Sequence, residues 1–212
     1  MPNPIYTEIK LSEVVVKANT LAQELGFPLL SEGRSPEYKG PPSACIPQVG
    51  RLLQTLCAGK PGGWIGELGT GAGVGTAWLA SGLMKGARLI SVEIDDTRAN
   101  AVKKLFHEYP NVEIRAGDWH DVVNINEPFD LLFMDAMPRA DLEHTNWDKM
   151  IEYIKVGGQI VMDDLTPVEL WPTDWEAVID YKREFALANP RAVGTEVRTT
   201  AATSAVIMTR IK

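Results

Sequence analysis

The stretch Gly63-Trp64-Ile65-Gly66-Glu67-Leu68-Gly69-Thr70-Gly71-Ala72-Gly73-Val74-Gly75-Thr76 decides how the rest of the chain reads. It opens as a short apolar strand, turns on glycines at 69, 71, 73 and 75, and goes on as a helical pattern through Ala77, Trp78, Leu79 and Ala80. Glycines at that density permit positive φ and let a ligand approach the backbone without interference from Cβ. The helix that follows points its free N–H groups and positive dipole end at whatever lies over the loop. Such a turn implies a nucleotide or nucleoside ligand.

Spacing narrows the choice. A phosphate-binding loop ends in Gly-Lys followed by Ser or Thr, and Gly75-Thr76 offers no lysine. The dinucleotide fingerprint needs a third glycine five residues after the first, but starts at 69, 71 and 73 reach Val74, Thr76 and Trp78. What remains is Glu-x-Gly-x-Gly-x-Gly, with Glu67 two residues before the first glycine. This resembles motif I of the class I S-adenosylmethionine-dependent methyltransferases.

The composition fits a single domain spanning 1–212, with 45% hydrophobic residues and enough chain for a full core. Residues 1–47 read as an N-terminal helix, about Glu8 to Leu25, plus a lid from Phe27 to Pro47 rich in proline and glycine. The cofactor-binding and catalytic core takes 48–212, beginning with a helix from Gln48 to Ala58. A net charge of −7 without basic runs argues against a nucleic-acid partner. The N-terminus lacks the pattern of a secretory signal, no stretch suits a membrane span, and Cys45 and Cys57 are too few for a disulfide framework. A reduced, cytoplasmic location is the expectation.

After the glycine turn, apolar strands alternate with helical segments, which predicts a parallel sheet with helices on both faces. The strands are Arg88–Glu93, Val112–Ala116, Phe129–Asp135 and Gly158–Asp163; helices are expected near Thr97–Tyr109, Asp141–Ile154 and Thr173–Ala188. Gly194–Arg198 and Ser204–Ile211 suit a closing hairpin. The class resemblance implies an α/β, Rossmann-like, seven-stranded sheet, mostly parallel, with an antiparallel C-terminal strand.

Ligands of open α/β sheets bind beyond the carboxyl ends of the strands, so the strand-end residues carry the functional reading. Glu93, followed by Ile94, ends the second strand 24 residues after Gly69, where a carboxylate can accept both hydroxyls of a ribose. The third strand runs into Gly117-Asp118-Trp119. By resemblance Asp118 would accept the adenine amine, and Trp119 would stack on the purine or else close the core. The fourth and fifth strands deliver Asp135, Asp163 and Asp164 to one sheet edge. Three carboxylates there repel unless something positive sits among them, and a hard divalent cation such as Mg²⁺ is an obvious candidate.

Phe129-Asp130-Leu-Leu-Phe133-Met-Asp135 and Gly157-Gly158-Gln-Ile-Val-Met-Asp163-Asp164, with Pro47-Gln48-Val49-Gly50 upstream, resemble the small cation-dependent O-methyltransferases of the catechol and caffeoyl-coenzyme A type. That resemblance spans roughly residues 40–210. It implies S-adenosylmethionine bound by Glu67, Gly69, Gly71, Gly73, Gly75, Thr76, Glu93, Ile94, Gly117, Asp118, Trp119 and Asp135. It also implies a metal on Asp135, Asp163 and Asp164, with Asp135 and Asp163 catalytic. Two positions depart from the family. Asp164 stands where the family has asparagine, and Pro138 stands where it has a general-base lysine. Arg139 stays protonated and cannot replace that lysine, which leaves a metal-polarised hydroxyl, a carboxylate, His120 or His144.

The expectation is an O-methyltransferase for a small phenolic or catechol-like acceptor, with Trp171 and Trp175 forming a rigid apolar wall beside the acids. A homodimer is compatible with the terminal segments. Three alternatives stay open. One is a metal-independent N-methyltransferase. Another is an aminopropyltransferase drawn to the acidic cluster, and the third is a binding protein that has lost acceptor chemistry.

Overall fold

The computed structural model describes residues 10–34, 38–124, 126–136, 145–175 and 178–212. In chain order the elements are α1 (Glu13–Glu24), α2 (Pro47–Ala58), β1 (Trp64–Leu68), α3 (Val74–Gly82), β2 (Arg88–Glu93), α4 (Asp96–Leu105), β3 (Val112–Ala116) and a single turn α5 (Trp119–Val122). They continue with β4 (Phe129–Met134), a short α6 (Trp147–Met150), β5 (Ile154–Leu165), α7 (Tyr181–Ala188), β6 (Ala192–Arg198) and β7 (Ser204–Arg210). The sheet has seven strands in the order β3-β2-β1-β4-β5-β7-β6. β7 lies antiparallel to both its neighbours, and the other pairs are parallel. The fold expected from the sequence is therefore the fold observed.

Near-continuous apolar strands are what a sheet covered on both faces requires. Alternation assigns the faces: Ile65, Leu89, Leu131, Phe133 and Val161 pack under α2 with Leu53 and Cys57, while Leu68, Ile90, Leu132, Met134, Ile160 and Met162 pack with Trp119, Tyr153 and Phe185. α1 and α4 complete the first layer through Val15, Ala18, Ala99, Val102 and Phe106, which close around Trp78 of α3. Strand order reverses between β1 and β4, so the crevice opens at their carboxyl ends.

Several boundaries differ from the sequence reading. The described part of the first helix begins at Glu13; Glu8 and Ile9 lie outside the described residues. α4 stops at Leu105 and the chain closes as turns through Phe106 and Tyr109, the residue that Pro110 biases away from helical geometry. β5 begins at Ile154 rather than Gly158: Gly157, at φ +83°, lets the strand continue through the register shift opposite Phe129–Leu131. The helix expected over Asp141–Ile154 is reduced to α6 and a 3₁₀ turn Ile151–Tyr153, with 141–144 outside the described residues. The helix expected over Thr173–Ala188 is instead a 3₁₀ turn Thr173–Trp175 and the separate α7. Asp180 starts α7 by accepting the Arg183 N–H at 3.1 Å, after the β-branched pair Val178-Ile179.

Candidate active site

Side chains along a strand alternate in direction, so Glu67 shares a face with Ile65, Ser91 and Glu93 share one with Leu89, and Asp135 and Asp163 continue the face of Phe133 and Val161. Register aligns these positions: Glu67 pairs with Ser91 and with Phe133, and Phe133 pairs with Val161. The acids of four strands thus emerge on one face at one edge. A cleft of about 1240 Å³ runs along that edge. It is larger than an ordinary single-ligand pocket and has room for a nucleoside cofactor with a small acceptor.

One end of the cleft is built by the glycine loop. Gly69, Thr70, Gly71, Ala72, Val74 and Gly75 line it, together with Glu93, Ile94, Gly117, Asp118, Trp119 and His120. Glu93 is 4% exposed and firmly held: its Oε2 accepts the Gly71 N–H at 2.7 Å, and its Oε1 accepts from Arg98 at 2.7 Å and from the Asp95 N–H at 3.0 Å. Arg98 also lies 6.0 Å above the ring of Phe27. Arg98 was not named from the sequence, although it sits in the first turn of the helix that follows Glu93, and Phe27 was named only as the start of the 27–47 segment. Ile94 is 69% exposed, an apolar side chain facing solvent where the fold offers little reason for one.

Three of the expected cofactor residues lie beneath the loop and do not line the cleft. Glu67 is buried, and one of its oxygens accepts from Ser91 at 2.6 Å and from Thr76. Burial pushes the Glu67 carboxyl up to about 8 despite those two donors. Thr76 is buried as the donor to Glu67. Gly73, at φ +82°, is the left-handed residue that starts α3, and a Cβ there would meet Val102 at 2.8 Å. The backbone of Gly75 faces the cleft, and a Cβ on it would stand 2.4 Å from a Glu67 oxygen. Glu67 therefore fixes the loop from below. Asp118 and Trp119 line the cleft and serve the local structure as well: Asp118 caps α5 by accepting the His120 N–H at 2.9 Å, while Trp119 is buried, edge-on to Tyr153 and stacked with His120 at 3.6 Å.

At the other end, oxygen atoms of Asp135, Asp163 and Asp164 lie within 4.8 Å of one another. Asp135 and Asp164 face the large cleft, and Asp163 lines a small adjoining cavity with Cys45, Thr199 and Thr203. Asp163 is 5% exposed and its Oδ1 has no hydrogen-bond partner. Burial, then the charge of Asp135, pushes the Asp163 carboxyl up to about 7, against the opposing pull of Lys182 and Arg34. Asp135 is raised in the same sense, chiefly by desolvation of its carboxyl, although the residue presents surface to the open cleft. Two cations attend the cluster. Lys182 donates to the Asp163 carbonyl at 2.8 Å, and Arg34 pairs with the Asp164 carboxylate. Among the described residues Asp164 is the one non-glycine in the left-handed region, at φ +60°, a conformation that Asn and Asp adopt more readily than other side chains. The donor set and the orphaned Asp163 oxygen fit a hard divalent cation.

Trp171 and Trp175 line the cleft beside this cluster, edge to face with centroids 6.2 Å apart, together with Val178 and Ile179. The segment 27–47 supplies Arg34, Tyr38, Ser43, Ala44 and Cys45 to the same space. Pro138, Arg139 and His144 lie outside the described residues, and His120 is exposed on Asp118 at the glycine-loop end of the cleft. Arg34 and Lys182 carried no signal in the sequence, since each comes from a segment remote from the strands it serves.

Residues 67–165 match the family model described as a methyltransferase domain. Over 131 residues the chain is 34% identical to a catechol O-methyltransferase of Niastella koreensis, covering 56% of this chain and 58% of that protein. The chain spans about half the length of the curated relatives it matches. Among solved structures, an O-methyltransferase of Bacillus cereus in complex with SAH superimposes with a TM-score of 0.70 at 20% identity, covering 96% of this chain and 94% of that one. An O-methyltransferase from Streptomyces achromogenes involved in tomaymycin synthesis, in complex with SAM, gives a TM-score of 0.70 at 20% identity, covering 96% and 92%. At that identity the likeness is one of fold.

Proposed function

We propose that this chain is a class I S-adenosylmethionine-dependent methyltransferase that moves the sulfonium methyl of S-adenosylmethionine to a hydroxyl oxygen of a small, catechol-like or phenolic acceptor. The observation that carries this reading is the continuity of one cleft, from the glycine loop and Glu93 to Asp135, Asp164 and the two tryptophans. Glu93 takes the ribose hydroxyls on the lone pairs that Gly71 and Arg98 leave. Ile94, Gly117 and Asp118 border the adenine, and the loop backbone at Gly69–Ala72 and Gly75 receives the amino-acid end.

The transfer is an in-line displacement: an acceptor oxygen lone pair forms the bond to the methyl carbon as the carbon–sulfur bond breaks, leaving S-adenosylhomocysteine. Alignment supplies most of the catalysis. Trp171 and Trp175 hold a flat acceptor against the carboxylates, and Asp135, the raised carboxyl that faces the cleft, accepts the hydroxyl proton. If a divalent cation is bound, Asp135, Asp163 and Asp164 would hold it, and its Lewis acidity would lower the hydroxyl pKa in place of Asp135 acting as base.

The test is S-adenosylhomocysteine release from S-adenosylmethionine with a panel of catechols, phenols and amines. Turnover is expected with vicinal diols, and Asp135→Ala should lower it by about 10²–10⁴-fold while S-adenosylhomocysteine affinity stays within about tenfold. Preferential methylation of amines would overturn the oxygen reading. Failure of S-adenosylhomocysteine to bind in calorimetry would overturn the whole of it.

A further inference from the structure

We propose that Arg34 and a divalent cation compete for the carboxylate cluster, so that the chain carries its own removable counter-cation and admits a metal as the Arg34 side chain leaves Asp164. The inference rests on the reading of Asp135, Asp163 and Asp164 as acceptor-side machinery.

Three observations carry it. First, the charges are unequally served. Asp164 is paired with Arg34, whereas Lys182 spends its contact on the main-chain oxygen of Asp163. The Asp163 Oδ1, nine-tenths buried and within the cluster, is left without a donor. A buried carboxylate oxygen without a partner is a costly arrangement, and a metal ion bridging the three acids relieves it in a way that Arg34, held at Asp164, does not. Second, the two occupants cannot share Asp164 freely, because both are cations drawn to the same carboxylate.

Third, the segment that delivers Arg34 is fixed while its side chain lines the cleft and is 35% exposed. Thr200 donates to the Glu32 carbonyl at 2.8 Å and Gln48 donates to that of Ser31 at 3.1 Å. Gly33, at φ +77°, lies so close to Thr203 that a Cβ there would meet its methyl at 2.5 Å. Exchange of arginine for metal therefore needs a rotamer change of one long, partly exposed side chain and leaves the turn in place.

The experiment is calorimetric titration of Mn²⁺ into the full chain and into Arg34→Gln, Arg34→Lys and Asp163→Asn, with S-adenosylhomocysteine titrated into each in parallel. Arg34→Gln should bind Mn²⁺ on the order of tenfold more tightly than the wild type. Arg34→Lys, which keeps the charge and loses the planar fork, should fall between them, and Asp163→Asn should lose the binding. Equal Mn²⁺ affinity in the wild type and Arg34→Gln overturns the competition, as does no Mn²⁺ binding to any form. If Arg34→Gln does not fold, Arg34→Lys makes the same comparison. Loss of S-adenosylhomocysteine binding in every form overturns the methyltransferase reading, while the Mn²⁺ series still decides the competition.

Discussion

Glu67 is the residue whose chemistry the fold changes most. Its carboxyl is pushed up from an ordinary 4.5 to about 8, with burial the main cause. Between those values the folded state holds a proton that the unfolded chain has released, so this group's contribution to stability falls as pH rises through the window and levels off above it. Thermal denaturation of Glu67→Gln, which mimics the protonated form, should show a flatter dependence of Tm between pH 5 and pH 8 than the wild type. A parallel dependence in both would show that Glu67 does not titrate there. Glu93 is the contrasting acid: its oxygens are already oriented by Gly71 and Arg98. Glu93→Ala should weaken S-adenosylhomocysteine binding by roughly 2–3 kcal/mol, read by calorimetry, because it removes the acceptor and frees Arg98 as well. The acidic identity of both positions was legible in the sequence, since each ends a strand beside glycine or a helix start. Their different duties were not, because burial of Glu67 under α3 depends on register across β1 and β2.

Among the elements, α3 and its loop show why four glycines stand where they do. At Gly75 a methyl group would press on the Glu67 carboxylate at 2.4 Å. Gly75→Ala should therefore cost about 1–3 kcal/mol in chemical denaturation and weaken S-adenosylhomocysteine binding along with it. α7 depends on Arg183, which is 9% exposed, donates to both oxygens of Glu196 and to the Thr166 carbonyl at 2.9 Å, and pairs with Asp180. Arg183→Ala should cost about 3–5 kcal/mol by urea denaturation, since it strands two partly buried carboxylates. β2, β3 and β4 were read to within a residue, because short apolar runs bounded by acids or glycine are strong local signals. The helices of the second half were not. Val178 and Ile179 continue a helical-looking pattern that Asp180 interrupts by capping α7, and Gly157-Gly158 looks like a turn where β5 carries on. Arg34 and Lys182 stayed hidden for a related reason: tertiary structure brings them to the acids from outside the sheet.

For the molecule as a whole, a ligand that binds the folded state alone stabilises it in proportion to the logarithm of its concentration. S-adenosylhomocysteine at a hundred times its Kd should raise Tm by about 5–10 °C for a chain of this size, and Glu93→Ala should shrink the shift to about 1–3 °C at the same concentration. The described helices include none long and apolar enough to cross a membrane. The cleft has a further consequence in enzyme kinetics. Because the glycine-loop end and the tryptophan wall open into one space, the proposed transfer would have both reactants on the protein together, with the methyl group passing directly between them. Initial-rate plots at varied concentrations of both reactants should give intersecting lines. Parallel lines would mean that the methyl group rests on the protein between two half-reactions.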